Sequence, residues 1–200
     1  MANSNSKNQV KKVMTEDEII SSLRVSTLFL TALLFVSFFF GFCYVFNTDY
    51  GVEVGVNGWN LICMSFYWNF KSSAVVFGDI AVPFYVYAKY YTIILTVFMT
   101  NVFYFNFIIF ILSLINIKKQ KYLLSKISMI LSIFTTILLL GCFIVALTMN
   151  GSRILPKYCS GNPACSIHSL AIFPFFISLI NMIASAVLLY KLHEKEIGAW

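Results

Sequence analysis

Two cysteines in the second half of the sequence have a spacing that permits redox chemistry. Cys159 and Cys165 stand on either side of a Gly-Asn-Pro segment in NGSRILPKYCSGNPACSIH. Such a pair predicts an intraloop disulfide if the segment faces an oxidising compartment. A structural zinc site takes four ligands, and His168 is the one further candidate ligand nearby, so we expect no metal here.

The other reactive side chains do not form a recognisable catalytic pattern. Cys43 and Cys142 fall within apolar segments, and no Cys-x-x-Cys pair occurs in the chain, which argues against a membrane thiol oxidoreductase. An enzyme would need groups such as Asp79, His168 and Cys63 to converge. Phosphate-loop, dinucleotide-binding, His-Glu-x-x-His and Gly-x-Ser-x-Gly motifs do not occur. We therefore expect no enzymatic activity and no cofactor.

Hydroxyl and amide side chains recur at helical spacing inside the apolar segments. Members of each set stand three or four positions apart, which aligns the set along one helix face. The sets are Thr27 and Thr31; Thr92, Thr96 and Thr100; Ser128, Ser132 and Thr136; and Ser178, Asn181 and Ser185. Such residues let membrane helices pack closely and hydrogen bond to one another. The alternative is a polar path, lined by Thr92, Thr96, Asn101 and Asn181. We favour packing, because four interdigitating helices leave little room for a lumen.

Four long apolar runs carry these residues. Hydrophobic residues make up 60% of the chain and charged residues 11%, whereas a soluble domain carries roughly 25% charged residues. We predict an all-α membrane protein, a bundle of four transmembrane helices with spans at 25–47, 90–116, 127–149 and 170–190. Each run can cross a hydrocarbon core of about 30 Å. The predicted spans contain no ionisable residue, which argues against a pump or a proton-coupled carrier.

The net charge of +6 is distributed asymmetrically around the spans. Basic residues cluster at both termini and in the link between the second and third spans: Lys7, Lys11, Lys12, Arg24, Lys118, Lys119, Lys121, Lys126, Lys191 and Lys195. The opposite side carries fewer basic residues in longer loops, namely Lys71, Lys89, Arg153 and Lys157. Basic residues next to spans are retained in the cytoplasm, so the charge predicts topology and no nucleic-acid partner.

This asymmetry divides the chain into tails, loops and one membrane domain. We predict a multi-pass protein of the cell membrane whose amino-terminal tail, 1–23, and carboxyl-terminal tail, 192–200, are cytoplasmic. The four-helix domain covers 24–191 and includes outer loops at 48–89 and 150–169. The tetrapeptide Thr15-Glu16-Asp17-Glu18 matches a capping box, which predicts that helix begins near Thr15.

The first outer loop combines a turn signal with many aromatic residues. In GVEVGVNGWNLIC, residues 51–63, Asn57-Gly58 separates two alternating runs, which predicts a small extracytoplasmic β-hairpin with Val56 opposite Trp59. Aromatic rings after the hairpin are typical of the headgroup level of a membrane. The alternative is a surface that binds a partner. The contact candidates for that surface are Trp59, Leu61, Cys63, Tyr67 and Trp68.

The order of spans and loops resembles the claudin-type four-helix family. A large outer loop with a sheet, a short basic inner link and a smaller second outer loop occur in the same order. Trp59-Asn60-Leu61-Ile62-Cys63 is similar to the Gly-Leu-Trp-x-x-Cys motif of that family, although the first loop has no second cysteine. The arrangement also resembles small four-span proteins of AT-rich bacteria.

These features favour a non-enzymatic membrane protein. We expect an integral membrane scaffold, of an adhesion type or an accessory subunit, that acts through its outer loops and lateral helix faces. The alternative function is an oligomeric channel or small-solute facilitator with a path lined by hydroxyl and Asn side chains. The expected partners are the lipid bilayer, other membrane proteins and further copies of the chain.

Overall fold

Four long helices dominate the structure, which is a computed structural model. It describes residues 14–47, 52–59, 61–62, 75–77, 80–82, 84–119, 121–151, 165–167 and 169–197. The helices are α1 (Glu16–Ser37), α2 (Phe84–Lys119), α3 (Tyr122–Gly151) and α4 (Phe173–Ile197), and a 3₁₀ helix (Ser169–Ile172) precedes α4. Each long helix is long and apolar enough to cross a membrane. The prediction of four apolar spans is confirmed, and it indicates a multi-pass membrane protein.

The helices follow one another around a four-helix bundle. Helix α1 packs against α2, α2 against α3, α3 against α4, and α4 returns to α1. The link between α2 and α3 is too short for anything but an antiparallel pair. Lys195 Nζ donates to Asp17 Oδ1 across 2.6 Å, which brings the end of α4 to the start of α1. The ends of the four helices that lie near the two termini are called the terminal end below, and the opposite ends are called the loop end.

Helix α1 begins where the capping box predicts and ends earlier than expected. The Thr15 N–H donates to Glu18 Oε2 at 2.8 Å, and the Glu18 N–H donates to Thr15 Oγ1 at 3.4 Å. This confirms the capping box. The helix covers Glu16–Ser37 and Gly41–Asn47 forms a strand, so the run predicted as the first span, 25–47, contains the second part of α1 and the whole of this strand. An uninterrupted apolar run does not reveal where helix gives way to strand, and its last residues are the aromatic and β-branched types that favour strands.

Short strands lie at the loop end of the bundle. The strands are β1 (Gly41–Asn47), β2 (Val52–Asn57), β3 (Val75–Phe77), β4 (Ile80–Val82) and β5 (Cys165–Ile167). They form an antiparallel sheet of order β2-β1-β5 and a separate β3-β4 pair. The hairpin predicted across Asn57-Gly58 is not confirmed. Val54 pairs with Val45 of β1, and residues 58–59 and 61–62 are helical.

Buried positions on the helices recur at alternating steps of three and four residues. On α1 these positions are Ile20, Arg24, Thr27, Thr31 and Leu34, and on α3 they are Ser125, Ser128, Ser132, Thr135, Leu139, Cys142 and Ala146. The same alternation runs along α2 and α4. A sustained seven-residue repeat of buried positions produces left-handed packing in which each side chain fits between those of the facing helix. The sequence therefore specifies the inner face of every helix.

The segment after β2 closes the loop end of the interior. Leu61 and Ile62 are buried in the core cluster with Phe38 of α1 and Met99 of α2. The Trp59 ring stacks edge-on against Phe38, with ring centroids 6.0 Å apart. A loop segment thus contributes side chains to the core, which couples the first outer loop to the helix packing.

The outer surface of the bundle is apolar. Phe29 of α1 is 64% exposed, Ile137 of α3 is 59% exposed and Ile180 of α4 is 53% exposed. A soluble protein rarely exposes a continuous apolar surface of this kind. Lipid chains solvate such side chains, so the surface fits a membrane environment.

Candidate functional site

The bundle interior is apolar near the loop end and polar toward the terminal end. The polar seam, as we call it, consists of buried polar residues from all four helices. Its members are Arg24, Thr27, Thr31, Asn106, Ser113, Asn116, Ser125, Ser128, Ser132, Thr135, Thr136, Ser178, Asn181 and Ser185. Beside its last members, Ile20 of α1 packs with Leu188 and Leu192 of α4. The terminal end of the interior therefore contains both polar and apolar side chains.

Three hydrogen bonds cross the seam from helix to helix. Asn106 Nδ2 donates to the Thr31 carbonyl at 3.0 Å and joins α2 to α1. Asn116 Nδ2 donates to Ser125 Oγ at 2.7 Å and joins α2 to α3. Thr136 Oγ1 and Ser178 Oγ share a hydrogen bond of 2.8 Å that joins α3 to α4. The polar residues thereby tie neighbouring helices together.

Several seam hydroxyls donate to a carbonyl of their own helix. Thr31 Oγ1 donates to the Thr27 carbonyl at 3.0 Å, Ser132 Oγ to the Ser128 carbonyl at 2.8 Å, and Thr136 Oγ1 to the Ser132 carbonyl at 2.8 Å. This bond satisfies the hydroxyl proton and leaves the oxygen able to accept another hydrogen bond. The hydroxyls that recur every three or four residues can therefore be buried between packed helices, because a carbonyl of their own helix can accept their hydrogen bond.

Two of the four residues predicted to line a polar path face the interior of the bundle. Thr96 and Asn181 are 3% and 2% exposed, and Thr96 Oγ1 and Asn181 Oδ1 are buried with no hydrogen-bond partner in the described structure. Asn101 is on the outer face, where its Nδ2 donates to the Val97 carbonyl at 2.8 Å. The side chain of Thr92 lies outside the described part. Asn101 therefore does not line the interior of one bundle.

Arg24 lies deeper in the structure than its expected role as a flank of the first span implies. We counted it as a flank of the first span, but α1 begins at Glu16, and the Arg24 side chain is only 4% exposed. An ionisable group thus lies within a helix for which we expected none. Its position is four residues after Ile20 and three before Thr27, so the spacing of the buried face would have identified it. Its Nε and Nη2 atoms have no hydrogen-bond partner among the described residues.

The proposed contacts in the outer loops are only partly described. Leu61 has no exposed surface, so it is not available to a partner, and Trp59 is half-buried against the core. Cys63, Tyr67, Trp68 and Cys159 lie outside the described residues, as does the side chain of Cys165. The predicted disulfide stays a prediction. Leu61 belongs to the core because the segment that follows Gly58 turns into the bundle.

The Thr136–Ser178 contact gives a direct test of the seam. We expect Thr136→Val and Ser178→Ala to be coupled by about 0.6–2 kcal/mol in the free energy of unfolding, the range for hydrogen bonds between membrane helices. The measurement is a double-mutant cycle from denaturant unfolding in mixed micelles. A matched cycle of Thr136→Val with Ser113→Ala should give a coupling near zero. Ser113 lies on α2, about one heptad along the bundle axis from Thr136, so the two side chains are too far apart to interact. Coupling of equal size in both cycles would contradict a specific contact.

The described residues define a packed polar interior that contains one buried guanidinium with two unsatisfied nitrogens. Among them there is no group of three or more His, Cys, Asp or Glu side chains that could hold a metal ion. The Cys142 thiol is buried in the core cluster and has no disulfide partner. The hydrogen bonds between neighbouring helices support helix association. Comparison of the chain with protein-family models, curated proteins and solved structures finds no match.

Proposed function

We propose that this protein is a non-enzymatic membrane scaffold or accessory subunit. The observation that carries the proposal is the set of three hydrogen bonds that link the helices through the Asn106, Asn116 and Thr136 side chains. Polar groups used in this way stabilise one arrangement of the bundle. A fixed bundle is suited to presenting surfaces to other proteins.

The lateral surfaces supply the contact area for such partners. The exposed faces of the helices carry large apolar side chains, among them Phe29, Phe134, Ile137 and Ile180. Association in lipid depends on van der Waals packing and shape, which such side chains provide. The partners are other membrane proteins or further copies of this chain.

A pulldown from native membranes tests the scaffold function. A tagged chain extracted in mild detergent should recover a stoichiometric partner or assemble into a homo-oligomer. Phe29→Ala, Ile137→Ala and Ile180→Ala each remove an exposed side chain from a different helix, and at least one should reduce the recovery without changing the unfolding midpoint. Recovery of clean monomer from native extracts, with no partner, would refute the proposal.

The proposal also includes the orientation of the chain in the membrane. Lys118, Lys121 and Lys126 lie at the terminal end of the bundle, on exposed or link positions. The positive-inside rule then places both termini in the cytoplasm of the cell membrane and both loops outside. A tag after Trp200 should be inaccessible to antibody in intact cells and accessible after permeabilisation. Accessibility in intact cells would reverse the topology.

The proposal includes two features on the outer side of the membrane, a sheet and a disulfide. The antiparallel pairing of β1 with β2, and of β1 with β5 from the second loop, supports the claudin-like arrangement with a sheet over the outer end. A Cys159–Cys165 disulfide would fix the second loop next to that sheet. Thiol labelling with and without reductant decides whether the bond forms.

A small-solute facilitator is the second candidate function. Thr96 Oγ1, Thr100 Oγ1, Asn106 Oδ1 and Asn181 Oδ1 are buried and lack hydrogen-bond partners within the described structure. Unsatisfied buried polar atoms commonly mark positions of ordered water, and a continuous file of such waters would favour conduction. Flux into proteoliposomes should then fall in Asn181→Leu and persist in the outward-facing Asn101→Leu. Flux equal to that of protein-free liposomes would exclude this candidate.

A further inference from the structure

Arg24 places a permanent positive charge inside the bundle. The side chain is 4% exposed, and its Nε and Nη2 atoms are buried without a hydrogen-bond partner among the described residues. A guanidinium is not deprotonated in proteins, so the charge cannot be removed by loss of a proton. A buried charge without a partner is strongly unfavourable. The two unsatisfied nitrogens of Arg24 therefore favour an anion bound beside them.

Two carboxylates near the terminal end lie away from the Arg24 guanidinium and bind lysines instead. Asp17, seven residues before Arg24, attracts the guanidinium electrostatically but does not hydrogen bond to it. It is exposed, and it accepts a hydrogen bond from Lys195 Nζ at 2.6 Å. Glu194 Oε2 accepts from Lys191 Nζ at 2.6 Å on the outer surface of α4. Residues 1–13 contain no Asp or Glu. No carboxylate among the described residues is buried with the guanidinium.

Serines from the other three helices lie at the level of Arg24. Helices α1 and α2 run antiparallel, and the Asn106–Thr31 hydrogen bond fixes their relative position. Ser113, seven residues after Asn106, therefore lies opposite Arg24, seven residues before Thr31. Moving three residues from the Asn116–Ser125 hydrogen bond brings Ser128 opposite Ser113. In the same way, Ser185 of α4 is seven residues after Ser178 and lies at the level of residue 129, seven residues before Thr136 on α3. Residue 129 is next to Ser128. All three serines are buried.

This combination has the chemistry of a phosphate site. The guanidinium presents donors in a planar fork that matches phosphate oxygens, and hydroxyl groups donate to the oxygens that remain. Serine is also small enough to leave space between helices. Lys118 and Lys121, at the short α2–α3 link, lie at the same end of the bundle and would attract anions toward it.

We infer that Arg24, with Ser113, Ser128 and Ser185, binds the phosphate group of one anion in the terminal half of the bundle. The phosphate belongs either to the headgroup of an anionic lipid or to a free inorganic ion. Both sources offer the same group to the guanidinium, and an experiment with two arms separates them. The site goes beyond the scaffold function and does not depend on it.

Thermal unfolding of the full chain in an uncharged detergent tests the site. One arm titrates inorganic phosphate against chloride at constant ionic strength, and the other compares short-chain phosphatidylglycerol with phosphatidylcholine. A ligand that binds the folded state raises the unfolding midpoint. We expect such a rise in the wild type, its loss in Arg24→Gln, and its retention in Lys126→Gln, which removes an exposed charge from the same end. Arg24→Lys keeps the charge without the fork and should weaken the apparent affinity by about tenfold.

The outcomes separate the sources and decide the inference. A rise with phosphatidylglycerol alone assigns the site to a lipid headgroup, and a rise with inorganic phosphate assigns it to the free ion. No response in either arm overturns the inference, because the charge is then balanced within the chain. An equal response in wild type and Arg24→Gln also overturns it. If Arg24→Gln does not fold, unchanged affinity in Arg24→Lys overturns it instead.

Discussion

Replacement of Leu61 by alanine should lower the free energy of unfolding by about 2–5 kcal/mol, the range for removing a buried leucine side chain. Leu61 has no exposed surface and packs in the cluster that includes Phe38 and Met99. The lost methyl groups would leave a cavity between the loop segment and two helices. Denaturant unfolding in mixed micelles measures the effect, and the unfolding midpoint should fall without a change in the slope.

Leu123→Ala is the matched control for this prediction. Leu123 lies near the start of α3 and is 63% exposed, so its truncation should change the free energy of unfolding by about 0.5 kcal/mol or less. The comparison also tests the role predicted from the sequence, in which Leu61 is an outer contact for a partner. If Leu61→Ala left stability unchanged and reduced partner recovery, that role would be correct and the core position wrong.

The four spans were predictable because hydrocarbon imposes a simple length rule. A run of about 20 apolar residues is needed to cross the membrane, and α2, α3 and α4 each contain one. The end of α1 was not predictable by the same rule. The apolar run continues from the helix into β1 without a charged residue, so composition marks no boundary between Ser37 and Gly41.

The inner faces of the helices were predictable from spacing. Thr27, Thr31, Ser132 and Thr136 follow the three-and-four alternation in the sequence, and the structure buries all of them. The hydrogen-bond partners were not predictable, because they depend on the relative shift of neighbouring helices along their axes. Spacing within one helix contains no information about that shift.

Arg24 shows how two sequence rules can conflict. The rule that charges flank a span placed it just before the first span, at the first position of the predicted membrane domain, whereas the spacing of the buried face places it in the bundle interior with Ile20 and Thr27. The structure agrees with spacing. The basic flank of the first span consequently has one exposed charge fewer, and the bundle interior contains one fixed positive charge.

Replacement of Gly58 should destabilise the protein because the glycine permits a close approach of two chain segments. A Cβ atom added to Gly58 would lie 3.1 Å from Phe38 Cβ, 3.2 Å from Phe38 Cα and 2.8 Å from Met99 Cε. The methionine end can move, but the Phe38 backbone is held by helix α1. We expect Gly58→Ala to cost about 1–3 kcal/mol in the free energy of unfolding, the range for overpacking a core.

A second glycine provides the matched comparison. A Cβ atom added to Gly141 would lie 2.7 Å from Cε2 of the Phe98 ring, and a side chain adjusts more readily than a backbone. Gly141→Ala should therefore be less destabilising than Gly58→Ala in the same unfolding assay. Similar losses at both positions would indicate that the Phe98 ring is as immobile as the Phe38 backbone.

Gly58→Asn distinguishes the close approach from the turn predicted by the Asn57-Gly58 pair. A type I′ turn requires positive φ, which asparagine tolerates better than alanine, so a turn glycine should accept Asn with the smaller loss. Gly58 does not adopt a positive φ in the structure. Asparagine is larger than alanine, so a close approach predicts the greater loss for Gly58→Asn. The order of the two variants in unfolding free energy decides between a hairpin turn and a packing contact, since the two explanations predict opposite orders.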